Sequence, residues 1–209
     1  MIAHAAHSKW LRWLPACAMA IASSSCTLLP EKEAITLYTL PAAPIPSQTQ
    51  SPSTASLVVA TPEADRLLDS ERIVVAPEPN VINIYGGARW HATAPIMVRE
   101  RLIKALQQSE LFTTVNSDRL PGDLALISEL RRFQSEYTQD VTQAVIELDT
   151  QLRDPRSNRR LASRQFSATA IAENEEIPSV VAAFGEAGDQ LSLAVVEWLA
   201  EERDKLVSE

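Results

Sequence analysis

Cysteine is nearly absent from this chain, and its placement matters more than its scarcity. Both cysteines, Cys17 and Cys26, fall at the start of the 209 residues, and none follows in the remaining 183. A chain cut before Cys26 has no second thiol for an internal disulfide and none for catalysis elsewhere. Histidine is almost as scarce: His4 and His7 precede Cys26, leaving His91 alone, which excludes a multi-histidine metal site. The five glycines, Gly86, Gly87, Gly122, Gly185 and Gly188, form no phosphate-cradling loop, and neither HExxH nor GxSxG occurs. A secreted hydrolase would have to be built round His91, with no nucleophile elbow near it. "ENEE" (173–176) reads as a solvated loop rather than a cation site. These absences argue against an enzyme.

Long apolar runs are missing too. "WLPACAMAIA" (13–22) has ten residues, whereas a helix crossing a hydrocarbon core of about 30 Å needs roughly 20. It follows the positive segment "HAAHSKWLR" (4–12) and precedes Ser23, Ser24 and Ser25, the order of an export signal. A small residue directly before Cys26 resembles the bacterial lipoprotein box, in which the sulfur receives diacylglycerol, the chain is cut before the cysteine and the new amino group is acylated. Ser23 stands where leucine is usual. "LPAC" (14–17) has the leucine, but too little apolar sequence precedes Cys17. Plain signal-peptidase cleavage nearby is the alternative. Cleavage before Cys26 removes Lys9 and Arg12 and takes the net charge from −8 to −10. So acidic a chain is repelled by phosphate backbones, which argues against nucleic acid, and its membrane attachment has to come from lipid rather than from basic residues. Thr27 after the cysteine, in place of Asp, implies sorting to the outer membrane by the enteric rule.

Downstream, "AITLYTL" (34–40) reads as a short strand with Ile35, Leu37 and Thr39 on one side, expected to join the sheet. "PAAPIPSQTQSPSTAS" (41–56) has four prolines, four serines and no charge, which reads as a loop or tether reaching about 50 Å when extended. From Leu57 the pattern is globular. "LVVATP", "RIVVAP" and "NVINIY" are β-branched strand-like runs. A helix is predicted over 94–112, with Pro95 in its first turn and Val98, Leu102, Ala105 and Leu106 as an apolar stripe. "TTVNS" is a brief strand. Residues 123–133 and 143–152 alternate as hairpin partners, with Ala144, Ile146, Leu148 and Leu152 on one face and Glu136, Glu147 and Asp149 on the exposed one; residues 161–172 form a third long strand. The last helix runs from Pro178 to about Glu202 with Val181, Phe184, Leu191, Val195 and Trp198 inward. Its Gly185 and Gly188 belong to a core helix or permit close approach of a partner chain. The fold class is α+β: a mostly antiparallel sheet with two main helices packed on one face. The expected organisation is a signal peptide over 1–25, a lipidated N-terminus, strand and tether over 26–56, and a domain over 57–205.

"YGGARWHATAPIMVRERL" (85–102) carries the most individual cluster. Trp90 either plugs the junction of sheet and helix or joins Arg89 in a partner surface, since Trp and Arg are enriched at binding hot spots. The order of a lipobox-like Cys26, "LYTLPA" (37–42), "ARWHATAPIMVRERLIKALQQSELFTTV" (88–115), a sheet and a C-terminal helix resembles the ABC-type transport auxiliary lipoprotein family, which includes the lipoprotein of the paraquat-inducible Pqi system. The family's Tyr-x-Leu falls on Tyr38 and Leu40, its Arg-Trp on Arg89 and Trp90, and its closing Leu/Phe-x-x-Val on Phe112 and Val115. The resemblance implies a non-catalytic protein without a cofactor, anchored in the inner leaflet of the outer membrane by the acyl groups on Cys26. It implies an MCE-domain protein of an ABC transporter complex as partner, a ring of copies, and lipid transport between the membranes, with Tyr38, Leu40, Arg89 and Trp90 as partner-binding residues. The competing reading is a soluble or tethered periplasmic carrier that holds a lipid in its own cavity.

Overall fold

Three long strands that alternate in hydrophobicity set the frame. In the computed structural model, which describes residues 34–47, 52–138 and 141–208, these are β6 (Leu124–Thr138), β7 (Val141–Asp154) and β8 (Arg159–Ile171). They pair antiparallel as a meander. One face of it carries Leu126, Leu130, Phe133, Ala144, Ile146, Leu148, Leu152, Phe166, Ala168 and Ala170, all buried. The other face carries Arg131 bridging Glu129 and Asp149, and Arg132 bridging Glu136 and Glu147. The turn from β7 to β8 is made by Asp154, whose carboxylate accepts from the Arg156 amide and the Ser157 hydroxyl, and by Asn158 at φ 55°, a left-handed position asparagine tolerates.

The far edge of β6 is shared. Its start pairs with β2 (Ser53–Val59) and its end with β3 (Arg72–Glu78), both parallel, and an isolated bridge from Glu63 to Glu129 links the two contacts. Beyond β2 lies β5 (Phe112–Ser117), again parallel. Beyond β3 lies β4 (Val81–Trp90), antiparallel, and then β1 (Thr36–Tyr38), parallel to β4. Among the described residues, four of the seven strand pairings are therefore parallel. The α+β class stands, but the sheet is mixed rather than mostly antiparallel. Antiparallel pairs announce themselves through short local turns, whereas parallel pairs need long crossovers that alternation does not reveal.

Helix α1 (Ala94–Gln108) follows β4, and α2 (Ile177–Ser208) follows β8. The predicted stripes are buried: Val98, Leu102, Ala105 and Leu106 on α1, and Val181, Phe184, Leu191, Val195 and Trp198 on α2. Helix α1 stops four residues before the predicted Phe112, because Glu110 turns left-handed at φ 56° and Phe112 already opens β5. Gly87, at φ 66°, sits in a bulge: between the pairs Arg72–Arg89 and Val74–Ile84, β4 uses three residues more than β3. The bulge turns Ala88 and Trp90 into the core while Ile82 and Ile84 stay exposed. Trp90 is 0% exposed and meets Phe133 and Phe184 edge-on, with centroids at 5.7 and 5.3 Å, while those two rings stack at 4.8 Å. Of the two readings of Trp90, the plug is the one this geometry supports.

Of the N-terminal reading as a strand followed by a loop or tether, the strand forms, and residues 41–47 are a loop packed on the domain. β1 does join the sheet as expected, with Ile35 and Leu37 together on its exposed side and Tyr38 and Leu40 packed on the core. Residues 41–45 lie against the helices, and β2 starts at Ser53, four residues before Leu57. The export signal, Cys26 and residues 48–51 lie outside the described residues.

Removing the Trp90 ring leaves a cavity beside two phenyl rings. Trp90→Ala is expected to cost about 3–5 kcal/mol in urea unfolding. A loss below about 0.5 kcal/mol, the range of surface positions, would contradict the packing.

Candidate functional site

The place where distant parts of the chain converge is the seat of residues 38–45, here called the strap. Helix α1 offers an apolar stripe, and Arg101 falls within it, between Met97 and Leu102. Arg101 is only 8% exposed, so its charge needs acceptors. Its Nη1 donates to the Pro41 carbonyl of the strap; its Nη2 donates to the Gly185 carbonyl of α2 at 2.9 Å and to Asp189 Oδ1. Asp189 lies one turn after Gly185, and its carboxylate also accepts the Ala43 amide at 3.0 and 3.2 Å. The Ile45 amide donates to Gln108 Oε1 at 3.2 Å at the end of α1. Burial pushes the Arg101 guanidinium below its usual range, and the adjacent Asp189 carboxylate pulls it back up. The Asp189 side chain is 31% exposed, so it is the buried Arg101 guanidinium that is stranded when the pair is broken.

Gly185 and Gly188 make the approach possible. A Cβ at Gly185 would lie 2.8 Å from Pro41 Cβ and 3.2 Å from the Pro41 carbonyl oxygen; one at Gly188 would lie 2.8 Å from Arg101 Nε. The close approach these glycines permit is made by the strap and Arg101 of the same chain.

Beside the strap lies an open cleft of about 250 Å³, lined in part by Thr39, Leu40, His91, Met97, Glu100 and Lys104. A second depression, about 370 Å³, lies where the β3–β4 turn meets the end of β6, bordered by Glu78, Ile82, Arg132 and Glu136. The space between helices and sheet is occupied by Leu57, Trp90, Leu106, Phe133, Phe184 and Trp198, each almost wholly buried. Tyr85 bonds to Ser135 Oγ at 3.1 Å and Tyr137 Oη at 3.4 Å, and burial pushes its phenol pKa up, so it remains a neutral hydrogen-bonding group.

Of the residues singled out in the sequence, Tyr38, Leu40 and Trp90 lie together and face inward, and the Tyr38 carbonyl accepts the His91 amide at 2.9 Å. Arg89 is the one of the four that points outward, half-exposed on β4. His91 is exposed at the rim of the cleft. Among the described residues no group of three His, Cys, Asp or Glu side chains is placed to hold a metal ion, and no helix is long and apolar enough to cross a membrane. The sequence reading missed Arg101 and Asp189. Arginine inside an apolar helical stripe was the available signal for the first; nothing local marked the second.

The sequence pattern of the family described as ABC-type transport auxiliary lipoprotein component matches residues 38–196. The chain belongs to this family. As a member it is a lipoprotein component associated with ABC-type transport, and the matched stretch takes in the strap, Arg101 and Asp189. Two solved structures share the fold of this auxiliary lipoprotein. A Xanthomonas campestris protein of family DUF330 is 29% identical and aligns over 83% of this chain and all of its own, with a TM-score of 0.78. An uncharacterised protein, 17% identical, aligns over 80% of this chain and 99% of its own, with a TM-score of 0.64. No curated protein matches the sequence.

The seat of the strap sets two effects against each other at Gly185. Alanine gains about 1 kcal/mol of helix propensity and forces a Cβ into Pro41, an overpacking cost of typically about 1–3 kcal/mol. Gly185→Ala is expected to be net destabilising in urea titration, while Gly86→Ala, whose Cβ meets nothing within 4 Å, leaves stability unchanged or raised. Stabilisation by Gly185→Ala would refute the close seat.

Proposed function

We propose that this auxiliary lipoprotein is a non-catalytic docking component of the bacterial envelope. It is acylated on Cys26 with diacylglycerol and an N-acyl chain and held in the inner leaflet of the outer membrane. Facing the periplasm, it receives the MCE-domain protein of an ABC transporter that moves lipid between the two membranes, with a ring of copies as the docking form. The observation that carries this reading is the clasp on the strap. The chain that leaves Cys26 is built into the sheet through β1 and locked between the helices by Arg101 and Asp189, so an anchor at Cys26 holds the folded domain at short range. In a carrier that shuttles between membranes a locked anchor segment has no evident use, and the filled interior offers an acyl chain no room beside Trp90, Phe133 and Phe184. Of the four residues proposed for partner binding, Arg89 alone presents its side chain outward; Tyr38, Leu40 and Trp90 act by shaping the wall behind it.

The test is the intact mass of the mature protein purified from its native membrane, beside Cys26→Ala, with the proteins that co-purify identified. A mass for residues 26–209 plus acyl groups, lost in Cys26→Ala, together with recovery of an MCE-domain protein, is the expected result. An unacylated chain cut elsewhere, or bound lipid in place of a transporter subunit, would favour the carrier.

A further inference from the structure

The outer side of the corner formed by β1, β4 and β3 carries a patch of which the docking reading uses Arg89 alone, as a partner contact. In the parallel pairing of β1 with β4, Tyr38 lies beside Trp90 and Leu37 beside Arg89; in the antiparallel pairing of β4 with β3, Arg89 lies opposite Arg72. Residues paired this way project from the same face of a sheet. Trp90 and Tyr38 turn into the core, so Leu37, Arg89 and Arg72 project from the other face. Leu37 is 63% exposed, and Ile35, two residues upstream, is 47% exposed. Like charges directly opposite each other destabilise a strand pair, and nothing inside the fold relieves this pair: neither arginine side chain has a hydrogen bond or ion pair among the described residues. Arg131 and Arg132, on the same sheet, each hold carboxylates.

We propose that Ile35, Leu37, Arg72 and Arg89 form a membrane-seating face that rests on the anionic phospholipid headgroups of the leaflet holding the anchor, an inference that rests on acylation of Cys26. Seated on the leaflet, Arg89 serves the membrane in place of the partner. Only seven residues, Thr27 through Glu33, separate the lipidated position from the start of the described fold, and the eight steps from Cys26 to Ala34 span at most about 28 Å. The patch begins at the second residue of the fold, so of all its surfaces this one is tethered most closely to the bilayer. Its chemistry fits that neighbour: guanidinium groups take up phosphate oxygens, and flanking aliphatic side chains enter the headgroup boundary. The net charge of −10 on the chain from Cys26 onward does not oppose this. Interactions beyond about 8 Å are largely screened at physiological ionic strength, so the arginines act locally while the acidic remainder is turned away from the leaflet. The seating leaves the helix side and the opposite end of the sheet toward the periplasm.

The experiment uses the full mature lipoprotein carrying Leu37→Cys. With Cys26 acylated, the introduced thiol is the only one, and it takes a spin label; Gln165→Cys, on the exposed face of β8, is the control. Each is reconstituted into vesicles of phosphatidylethanolamine with phosphatidylglycerol, and collisions with a water-soluble nickel chelate and with oxygen are compared. The label at 37 is expected to lose nickel collisions and gain oxygen collisions, and the label at 165 to show neither. Adding Arg72→Glu and Arg89→Glu, or using phosphatidylcholine alone, is expected to restore nickel access at 37. A label at 37 as open to nickel on the vesicles as in the unacylated Cys26→Ala chain in solution would overturn the seating. So would shielding already present in that unacylated chain, which would assign the patch to a second copy or a protein partner. The intact mass of the same sample separates the two failures. Acyl groups present with an exposed label overturn the seating alone; acyl groups absent overturn the anchor and the seating together.

Discussion

A guanidinium removed from water between two helices and a strap is the constraint on which this molecule turns. Burying such an ion costs several kcal/mol unless its donors are answered, and here Nη1 and Nη2 are answered from two segments: the Pro41 carbonyl of the strap, and the Gly185 carbonyl and Asp189 carboxylate of α2. The planar fork of arginine supplies donors in fixed directions, which a lysine ammonium does not reproduce. Asp189 then turns its carboxylate to the Ala43 amide as well, so one ion pair fixes the spacing of α1 and α2 and the path of the strap. The two glycines are consequences of the same arrangement, since any side chain at Gly185 meets Pro41 and any at Gly188 meets Arg101.

From that clasp the larger layout follows. With the strap locked, β1 is held on β4, and Trp90, beside Tyr38, closes the core against the stacked rings of Phe133 and Phe184. The point where the chain enters the fold is then rigidly related to the helices and to the long β6–β8 meander. On the proposed acylation of Cys26, a strap held in this way would fix the point from which the domain hangs on its anchor, which suits a docking component better than a free tether does.

The parts of the fold legible in the sequence are those whose information is local. The alternation in β6, β7 and β8 and the stripes Val98–Leu106 and Val181–Trp198 each repeat a signal over several turns or pleats, and tertiary packing reinforces it. The seat of the strap is not legible because its composition and its role point opposite ways. Four prolines and no charge over 41–56 describe a segment with few means of its own to fold, and its order is imposed by Arg101, 60 residues from Pro41, and Asp189, 146 residues from Ala43. Which side of β1 faces the core is not written in the sequence for a related reason. In "AITLYTL" both faces carry apolar residues, and only the partner strand decides that Tyr38, beside Trp90, is inside and Leu37, beside Arg89, is outside. The parallel pairings of β2, β3 and β5 were invisible for the same want of a local marker. Arg101 was legible in principle, as the one charged residue within the inward stripe of α1.

The most direct test of this account is amide hydrogen exchange over residues 36–47 in the wild-type chain and in Arg101→Gln. If the clasp orders the strap, that segment exchanges rapidly in Arg101→Gln while β6, β7 and β8 keep their protection. Wild-type protection of residues 36–47 without the Arg101 guanidinium would contradict the account, and so would a loss of protection spread evenly over the whole sheet.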